Sequence, residues 1–380
     1  MPFLRRISTK QLALLCAAVI AVIGGGTALA IAAGSGGNPP ASQPLANAVH
    51  DAATAPQQDG VTATFTYTNH LIDGVDIHGA NPLLGGGDGR IWASKDGHFR
   101  LELKANGSTD SQIVSDGKTF WIYDGSSNTV YRGTVPQHGA EKPDATKKAE
   151  TPPTVAQIQQ KINQLMQHLT LSDPPQAGTT AGQPSYTVSA SPKQHSGLLG
   201  QVQLAWDAVH GAPLRAAIYA KGSSTPVIEL TVNDISYGQP DSSAFNITPP
   251  AGAKSQNISS NKPEKPGAAK RDAKAKKREV AGLAAVQKKV GFQLAAPASL
   301  GGRHRQGAKL LGHNGAVVTY GQGLDGIAVI EQKAGKGGAS TDTGPLGRRA
   351  ELPTVTVNGT SAQELSTPLG TVLRFQRGGV

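Results

Sequence analysis

Residues 113–125, IVSDGKTFWIYDG, decide how this 380-residue chain folds. Two short apolar runs flank Asp116 and Gly117, and aspartate followed by glycine between β-formers predicts a tight hairpin. The run FWIY at residues 120–123 then puts large side chains on both faces of one strand. Because a half-solvated strand normally keeps one face polar, the bulk on both faces of this strand needs an explanation.

Short strands and one helix account for most of residues 59–253. The segment VTATFTYTN, residues 61–69, alternates apolar side chains with threonine, which is the period of a strand. Similar runs follow at short intervals, joined by Asp-Gly and Asn-containing turns, and predict an antiparallel meander. Residues 155–169 instead carry apolar side chains at helical spacing, just after Thr154, and predict a helix with one apolar face.

The N-terminus, residues 1–33, predicts a membrane anchor or a signal peptide. Three basic residues precede an uncharged run that starts at Gln11 and is long enough to span a bilayer. The basic flank predicts a cytoplasmic N-terminus. A signal peptide cleaved near Ala30 is the alternative, and the retained anchor is favoured because the apolar run continues past that site. We therefore predict a single-pass membrane protein with extracytoplasmic domains, or a secreted one.

Composition places the other boundaries. Residues 34–58 are rich in Gly, Ser, Pro and Ala and are predicted to be a flexible tether. Residues 254–279 form a basic linker, and residues 280–380 predict a small C-terminal α+β domain. The linker offers cations for contact with anionic headgroups, with a solvated linker as the alternative. The candidates are Lys270, Arg271, Lys274, Lys276, Lys277 and Arg278.

The expected chemistry is binding and not catalysis. The sequence contains no G-x-S-x-G, H-E-x-x-H or phosphate-loop motif, and its only cysteine, Cys16, lies in the N-terminal apolar run. The ten histidines show no metal-ligand spacing, so neither a metal nor another cofactor is predicted. Loop histidines such as His210 are expected to be solvated. The basic linker lacks the interleaved aromatics of a nucleic-acid site, so no nucleic-acid partner is predicted.

Four stretches resemble the LolA-type lipoprotein carriers and the related lipid-binding lipoproteins of actinobacterial envelopes. They are GDGRIWASKDGHFRLEL, IVSDGKTFWIYD, VQLAWDAVHGAPLRAAIY and SSAFNITPPAG. The resemblance implies a mainly β fold with helices (α+β), in which a strongly curved antiparallel half-barrel is closed by helices. It also implies that a lipid or an acylated lipoprotein is held in an apolar cavity between the sheet and the helical lid.

The resemblance implies particular site residues as well. Candidate lid residues are Ile158, Ile162, Leu165, Met166 and Leu169. Candidate cavity residues, with ordinary core packing as the alternative, are Trp92, Phe99, Phe120, Trp121, Tyr123, Trp206 and Ile218. Lys95 stands where the carriers have an arginine that ties the lid to the sheet, so it is the candidate for that contact.

The two-domain layout is similar to that of the RseB/MucB type of envelope-stress regulator. Those proteins sense a lipid or lipoprotein state and bind an anti-sigma factor. The sequence therefore leaves two functions open. One is a membrane-anchored carrier of a lipid or acylated ligand, and the other is a sensor or scaffold for an envelope protein partner. An enzyme is the disfavoured third reading.

Overall fold

The computed structural model describes residues 37–71, 86–105, 110–135, 152–193, 197–258, 280–312, 314–321, 326–334 and 352–380. The predicted anchor or signal peptide and the basic candidates of the linker lie outside the described residues. Within the described ranges, no helix combines the length and the apolar character needed to cross a membrane. The chain divides into two compact units, and each is described by itself.

One large sheet makes up most of the first unit. Its two helices are α1 (Leu45–Thr54) and α2 (Val155–Leu165), and a short 3-10 turn spans Ser242–Ala244. Its strands are β1 (Gly60–Asn69), β2 (Gly87–Ser94), β3 (His98–Ala105), β4 (Ser111–Asp116), β5 (Thr119–Asp124), β6 (Thr129–Thr134), β7 (Leu169–Leu171), β8 (Gln176–Thr180), β9 (Gln183–Pro192), β10 (Leu199–Asp207), β11 (Pro213–Ala220), β12 (Pro226–Tyr237) and β13 (Lys254–Asn257).

The strand order in this sheet is β13-β6-β5-β4-β3-β2-β1-β12-β11-β10-β9-β7, and β8 pairs with β9. Two meanders therefore meet where β1 pairs antiparallel with β12. The only parallel pair among the described strands is β13 with β6. Because the sheet begins at β13 and ends at β7, it is an open, curved sheet, and the predicted mainly β fold with helices is confirmed.

Cross-strand pairing divides the side chains of this sheet between two faces. The helices pack on the face that carries Trp206 and Val188, which we call the inner face. On β1 the inner face carries Val61 and Ala63, which lie in a core cluster with Phe99. The intervening threonines of β1 lie on the opposite, outer face.

The predicted hairpin joins β4 to β5. Asp116 accepts hydrogen bonds from the backbone N–H of Thr119 (2.5 Å), the hydroxyl of Thr119 (2.8 Å) and the backbone N–H of Lys118 (2.8 Å). These bonds favour the carboxylate and lower the pKa of Asp116 to about 2. Gly117 takes the left-handed conformation that the turn requires, with φ of +82°.

We expect Asp116→Ala to lower the free energy of unfolding of the first unit by about 1 kcal/mol near pH 7, since these bonds are exposed to solvent. The folded pKa lies below the unfolded value of roughly 3.9, so this contribution is present above about pH 4 and is lost as the pH falls towards 2. Urea unfolding can be followed by tryptophan fluorescence, because all three tryptophans lie in the first unit. An equal difference between wild type and variant at both ends of this range would contradict the prediction.

The outer face of β5 is covered, and its inner face is half-buried. Trp121 lies on the outer face, where it packs with Val114 and Val130 under Ile247 and Ala253. Its neighbour Phe120 points to the inner face, and its ring lies over Gly133 of β6, where an added Cβ would be 2.6 Å from the ring. The segment that follows β12 therefore covers the outer face of β5.

Helix α2 begins where the sequence predicts and ends earlier. The Thr154 hydroxyl accepts from Gln157 N (3.3 Å) and the Gln157 side chain accepts from Thr154 N (2.9 Å), which is a capping box. The helix ends at Leu165, although the apolar spacing predicted that it continues to Leu169. Leu169 instead enters β7 and pairs with Pro192 of β9, because the strand ladder takes over its backbone.

Helix α1 corrects the prediction of a flexible tether over residues 34–58. Its residues Leu45, Ala46 and Ala48 are buried, and Leu45 and Ala46 pack against Ile158 and Ile162 of α2. The small residues that favoured a tether are the ones that let the two helices approach closely. The described part of this segment therefore belongs to the first unit.

The second unit has the predicted α+β character. It contains helix α3 (Leu283–Gln287), whose Val286 is fully buried against the sheet residues Ala308, Ala316 and Val318. One sheet has the order β14 (Ser299–Leu300), β15 (Arg303–Leu311), β16 (Gly315–Tyr320) and β17 (Ile327–Gln332). A separate sheet has the order β18 (Thr354–Val357), β19 (Thr360–Thr367) and β20 (Gly370–Phe375). Strand β13 begins at Lys254 and pairs with β6, so the first unit extends past the predicted boundary at 253, whereas the boundary at 280 stays a prediction.

Candidate ligand-binding site

The inner face of β10, β11 and β12 carries an apolar surface that remains open. Leu204, Ala216 and Leu230 form one row across the three strands, since each is the direct partner of the next. The side chain of Leu204 is 49% exposed and that of Leu230 is 39% exposed. The neighbouring row on the same face is half-buried and consists of Val202, Ile218 and Ile228. We call the two rows together the open patch, which consists of Val202, Leu204, Ala216, Ile218, Ile228 and Leu230.

The open patch continues into a surface that the helices cover. Leu204 pairs directly with Val188 of β9, and Trp206 lies two residues further along the same face of β10. Val188 and Trp206 pack against the cluster formed by α1 and α2. One apolar wall is thus partly under the helices and partly exposed, and the helices lie where a lid would lie.

Polar side chains border the open patch on β1. Tyr67 is the direct partner of Leu230, and Asn69 is the direct partner of Ile228. Burial raises the pKa of Tyr67, although a side-chain hydrogen bond with Asn69 opposes this. Asn69 Oδ1 also accepts from the backbone N–H of Leu71 (3.0 Å). The patch therefore ends on β1 at polar groups that already have partners.

The outer face of the same strands is polar and its groups are paired. Arg215 donates to Glu229 Oε1 (2.6 Å), to Gln203 Oε1 (2.7 Å) and to the hydroxyl of Tyr219 (2.8 Å). Tyr219 donates in turn to Gln203 Oε1 (3.0 Å). A solvated sheet face is normally the polar one, so the exposed apolar side chains of the inner face are the exception that needs a function.

Hydrogen bonds hold the lid helix α1 against the rest of the first unit. Asp173, in the loop between β7 and β8, accepts from the backbone N–H of Leu45 (2.9 Å) at the start of the helix. A carboxylate at this end also complements the helix dipole. The ring of His50 makes a hydrogen bond with the carbonyl oxygen of Pro153 (3.0 Å), just before α2.

A turn between β10 and β11 supports the other end of α1. A Cβ at Gly211, which has φ of +69°, would overlap the carbonyl oxygen of Ala52 in the last turn of the helix. The helix therefore approaches this turn as closely as a glycine allows. Any larger residue at position 211 would push the end of the lid away.

The same turn is held by a buried carboxylate. Asp207 is fully buried and accepts from Tyr237 Oη (2.6 Å), Val209 N (2.7 Å) and His210 N (3.0 Å), with His210 Nδ1 also 3.0 Å away. Burial opposes ionisation, but these hydrogen bonds outweigh it and lower the pKa of Asp207. His210 corrects the prediction of a solvated loop histidine, because its side chain is only 16% exposed and its ring stacks on Tyr237 at 3.8 Å.

The seven predicted cavity residues divide between the two faces, so they do not line one cavity. The inner face carries Phe99, Phe120, Trp206 and Ile218, and the outer face carries Trp92, Trp121 and Tyr123. Trp92 lies beneath the guanidinium groups of Arg90 and Arg100, each 4.7 Å from its ring. Only Trp206 and Ile218 lie at the open patch or beside it.

The predicted lid residues and Lys95 are also only partly placed as expected. Ile158 and Ile162 are buried against α1 and Met166 packs beside them, whereas Leu165 is 52% exposed. Lys95 forms its ion pair with Asp59 (3.6 Å), in the connection between α1 and β1. Its contact is therefore with the chain leading into the sheet and not with α2.

Sequence reasoning missed α1 and most of the open patch. Leu45, Ala46 and Val49 have the spacing of a short apolar stripe, which would have identified the helix. Leu230 and Ile228 alternate with polar residues on β12, but alternation alone does not say which face stays open. Across the described ranges, no group of three or more His, Cys, Asp or Glu side chains is arranged to hold a metal ion.

The chain is similar to several solved structures at low sequence identity. MucB of Pseudomonas aeruginosa, solved with MucA, is 15% identical over 86% of this chain and 89% of that one, with a TM-score of 0.36. An uncharacterized conserved protein from Thermus thermophilus is 11% identical over 56% of this chain and 96% of that one, with a TM-score of 0.32. A LolA superfamily protein from Nitrosomonas europaea is 11% identical over 55% of this chain and 99% of that one, with a TM-score of 0.20.

These similarities include both groups that the sequence motifs resemble, the LolA superfamily and MucB. The sequence matches no protein-family model and no curated protein.

Proposed function

We propose that the first unit binds the acyl chain of a lipid or acylated lipoprotein outside the cytoplasm, with α1 and α2 as the lid. The observation that carries this proposal is the open patch itself. Its rows continue the apolar wall beneath the helices, while the outer face of the same strands satisfies its polar groups. An acyl chain lying along the rows would cover leucine side chains that now face water.

The energetics of such binding are those of apolar burial. Each CH₂ group removed from water contributes roughly 0.8 kcal/mol, so a long chain gains far more than a short one. The polar border at Tyr67 and Asn69 limits the patch on one side. The affinity is therefore expected to rise with the length of the alkyl chain until the chain covers all the rows of the open patch and the wall beneath the helices. Opening of the lid would set the rate at which the ligand exchanges.

Native mass spectrometry of the full chain, purified from a bacterial host without detergent, tests the proposal directly. A stoichiometric adduct that solvent extraction releases as a lipid is the expected result, and it would name the ligand class. A clean mass of the protein alone, with no uptake of added lipids, would rule out the carrier function.

Charges placed on the open patch should abolish loading. We expect Leu204→Asp and Leu230→Asp each to weaken binding of a palmitoyl lipid by about 100-fold, because an acyl chain would bury an unpaired carboxylate. Both side chains are exposed, so the free energy of unfolding should change by about 1 kcal/mol or less. Ser236→Asp is the matched control, since it adds the same charge to the outer face of β12. Equal weakening by all three variants would place the ligand elsewhere.

A sensor or scaffold for an envelope protein is the second candidate, and an observation in the second unit favours it. Strand β20 is at one end of its three-stranded sheet, and Val372, Leu373 and Phe375 are exposed along it. An exposed apolar edge strand can pair with an extended segment of a partner. A photo-crosslinking residue at 373 should then capture one envelope protein in cells, and replacing Val372 by proline should prevent its capture.

A further inference from the structure

Trp206 carries a polar group that has no partner within the described part of the chain. Its indole Nε1 is buried and makes no hydrogen bond. Buried tryptophan N–H groups normally have an acceptor, so this donor is an exception that needs a reason. Its neighbours are the apolar side chains of Leu45, Ala46, Ile158 and Ile162 in the cluster of the two helices, and Tyr186, whose ring centroid is 6.0 Å away and whose hydroxyl already donates to the carbonyl oxygen of Ala41. The closed lid therefore leaves one donor unsatisfied.

The position of this donor connects it to the open patch. Trp206 follows Leu204 by two residues on the same strand and the same face. Val188, the partner of Leu204, packs against the same helix cluster as Trp206. An alkyl chain that lies on the patch and extends by one row thus reaches the indole ring beneath α1 and α2.

We infer that the ligand of this site carries a neutral carbonyl group, an ester or an amide, next to its alkyl chain, and that Trp206 Nε1 donates to that oxygen. The inference rests on the proposed function and names its ligand class. A pure hydrocarbon would leave the indole unsatisfied. A free fatty acid fits poorly, because its carboxylate would lose its hydration beside the apolar side chains of this cluster and one indole N–H does not replace that hydration.

Tryptophan NMR on the full chain, kept in solution by an amphipathic polymer, tests this assignment. The chain contains three tryptophans, so the indole region holds three N–H resonances, and Trp206→Phe identifies the relevant one by its loss. The probes are methyl palmitate, hexadecane and palmitate. One net hydrogen bond corresponds to a preference for the ester over the alkane of about fivefold to tenfold. The ester, and not the alkane, should also shift the Trp206 resonance downfield.

Trp206→Phe provides the matched variant, because it keeps an aromatic ring on the wall and removes the donor. We expect it to bind hexadecane and methyl palmitate with equal affinity, both more weakly than the wild type because the smaller ring contacts the alkyl chain less, and so to lose the preference for the ester. Equal affinities of the wild type for ester and alkane, with an unmoved Trp206 resonance, would overturn the inference and leave the proposed function intact. Tighter binding of palmitate than of its methyl ester would overturn it as well.

Failure of every probe to bind would instead overturn the proposed function together with the inference. If the ester is preferred, dipalmitoylglycerol and a peptide with a dipalmitoylated N-terminal cysteine distinguish the two sources of such a group. Both carry acyl esters, and the one that shifts the Trp206 resonance at the lower concentration identifies a membrane lipid or a lipoprotein as the source.

Discussion

Asp207→Ala is expected to lower the free energy of unfolding of the first unit by about 3–4 kcal/mol. The substitution leaves the hydroxyl of Tyr237 and the backbone N–H groups of Val209 and His210 without their shared acceptor inside the protein. Urea unfolding followed by tryptophan fluorescence measures the change. Asp234→Ala, which removes an exposed carboxylate from β12, is the control and should change the free energy by about 0.5 kcal/mol or less.

The contribution of Asp207 should also depend on pH in one direction. Its folded pKa is lowered, so the stability that it provides is present above the unfolded value of roughly 3.9 and is lost as the pH falls through the folded value. Asp207→Asn should therefore differ most from the wild type near neutral pH and least in strong acid. A difference that grows on acidification would show that the carboxylate is not stabilised by these hydrogen bonds.

Gly211→Ala should have the second largest effect, about 2–4 kcal/mol. About 1 kcal/mol or more comes from placing a side chain at positive φ. The rest comes from the overlap of the new Cβ with the carbonyl group of Ala52, which displaces the end of α1. Thermal or urea unfolding, with tryptophan fluorescence as the signal, measures the loss.

Gly222→Ala separates these two contributions. Gly222 has φ of +78° and nothing within 4 Å of an added Cβ, so only the backbone term of about 1 kcal/mol is expected there. Gly211→Ala should also speed the exchange of a bound acyl probe, since the lid is no longer held at that end. If the two alanine variants lose equal stability, the contact between the turn and α1 contributes nothing.

The strands and turns of the first unit could be predicted because their determinants are local. The Asp116-Gly117 hairpin and the start of α2 at Thr154 each depend on hydrogen bonds between residues that are near neighbours in the sequence. Helix α1 was missed because its stripe is short and made mostly of small residues, so its stability comes from packing on Ile158 and Ile162, more than 100 positions away in the sequence.

The faces of the sheet could not be assigned from sequence for a similar reason. Period two shows that Trp121 and Phe120 lie on opposite sides, but not which side the helices cover. That choice depends on the pairing of β1 with β12 and on the segment around Ile247 that covers the outer face. The partner of Lys95 is likewise set by tertiary structure, since Asp59 reaches it through the neighbouring strand.

The position of α1 at the entrance of the chain into the first unit has a mechanical consequence. The residues that precede Leu45 lead directly into this helix, and none of the strand pairings of the sheet passes through it. A load applied to the chain ahead of Leu45 would first break the contacts of this leading segment with β9, where Tyr186 Oη donates to the carbonyl oxygen of Ala41 (2.6 Å) and Gly37 lies against Pro184, and would then reach α1. The contacts of α1 with Asp173, with α2 and with the turn at Gly211 would rupture next, so tension would uncover the wall around Trp206 while the sheet keeps its register.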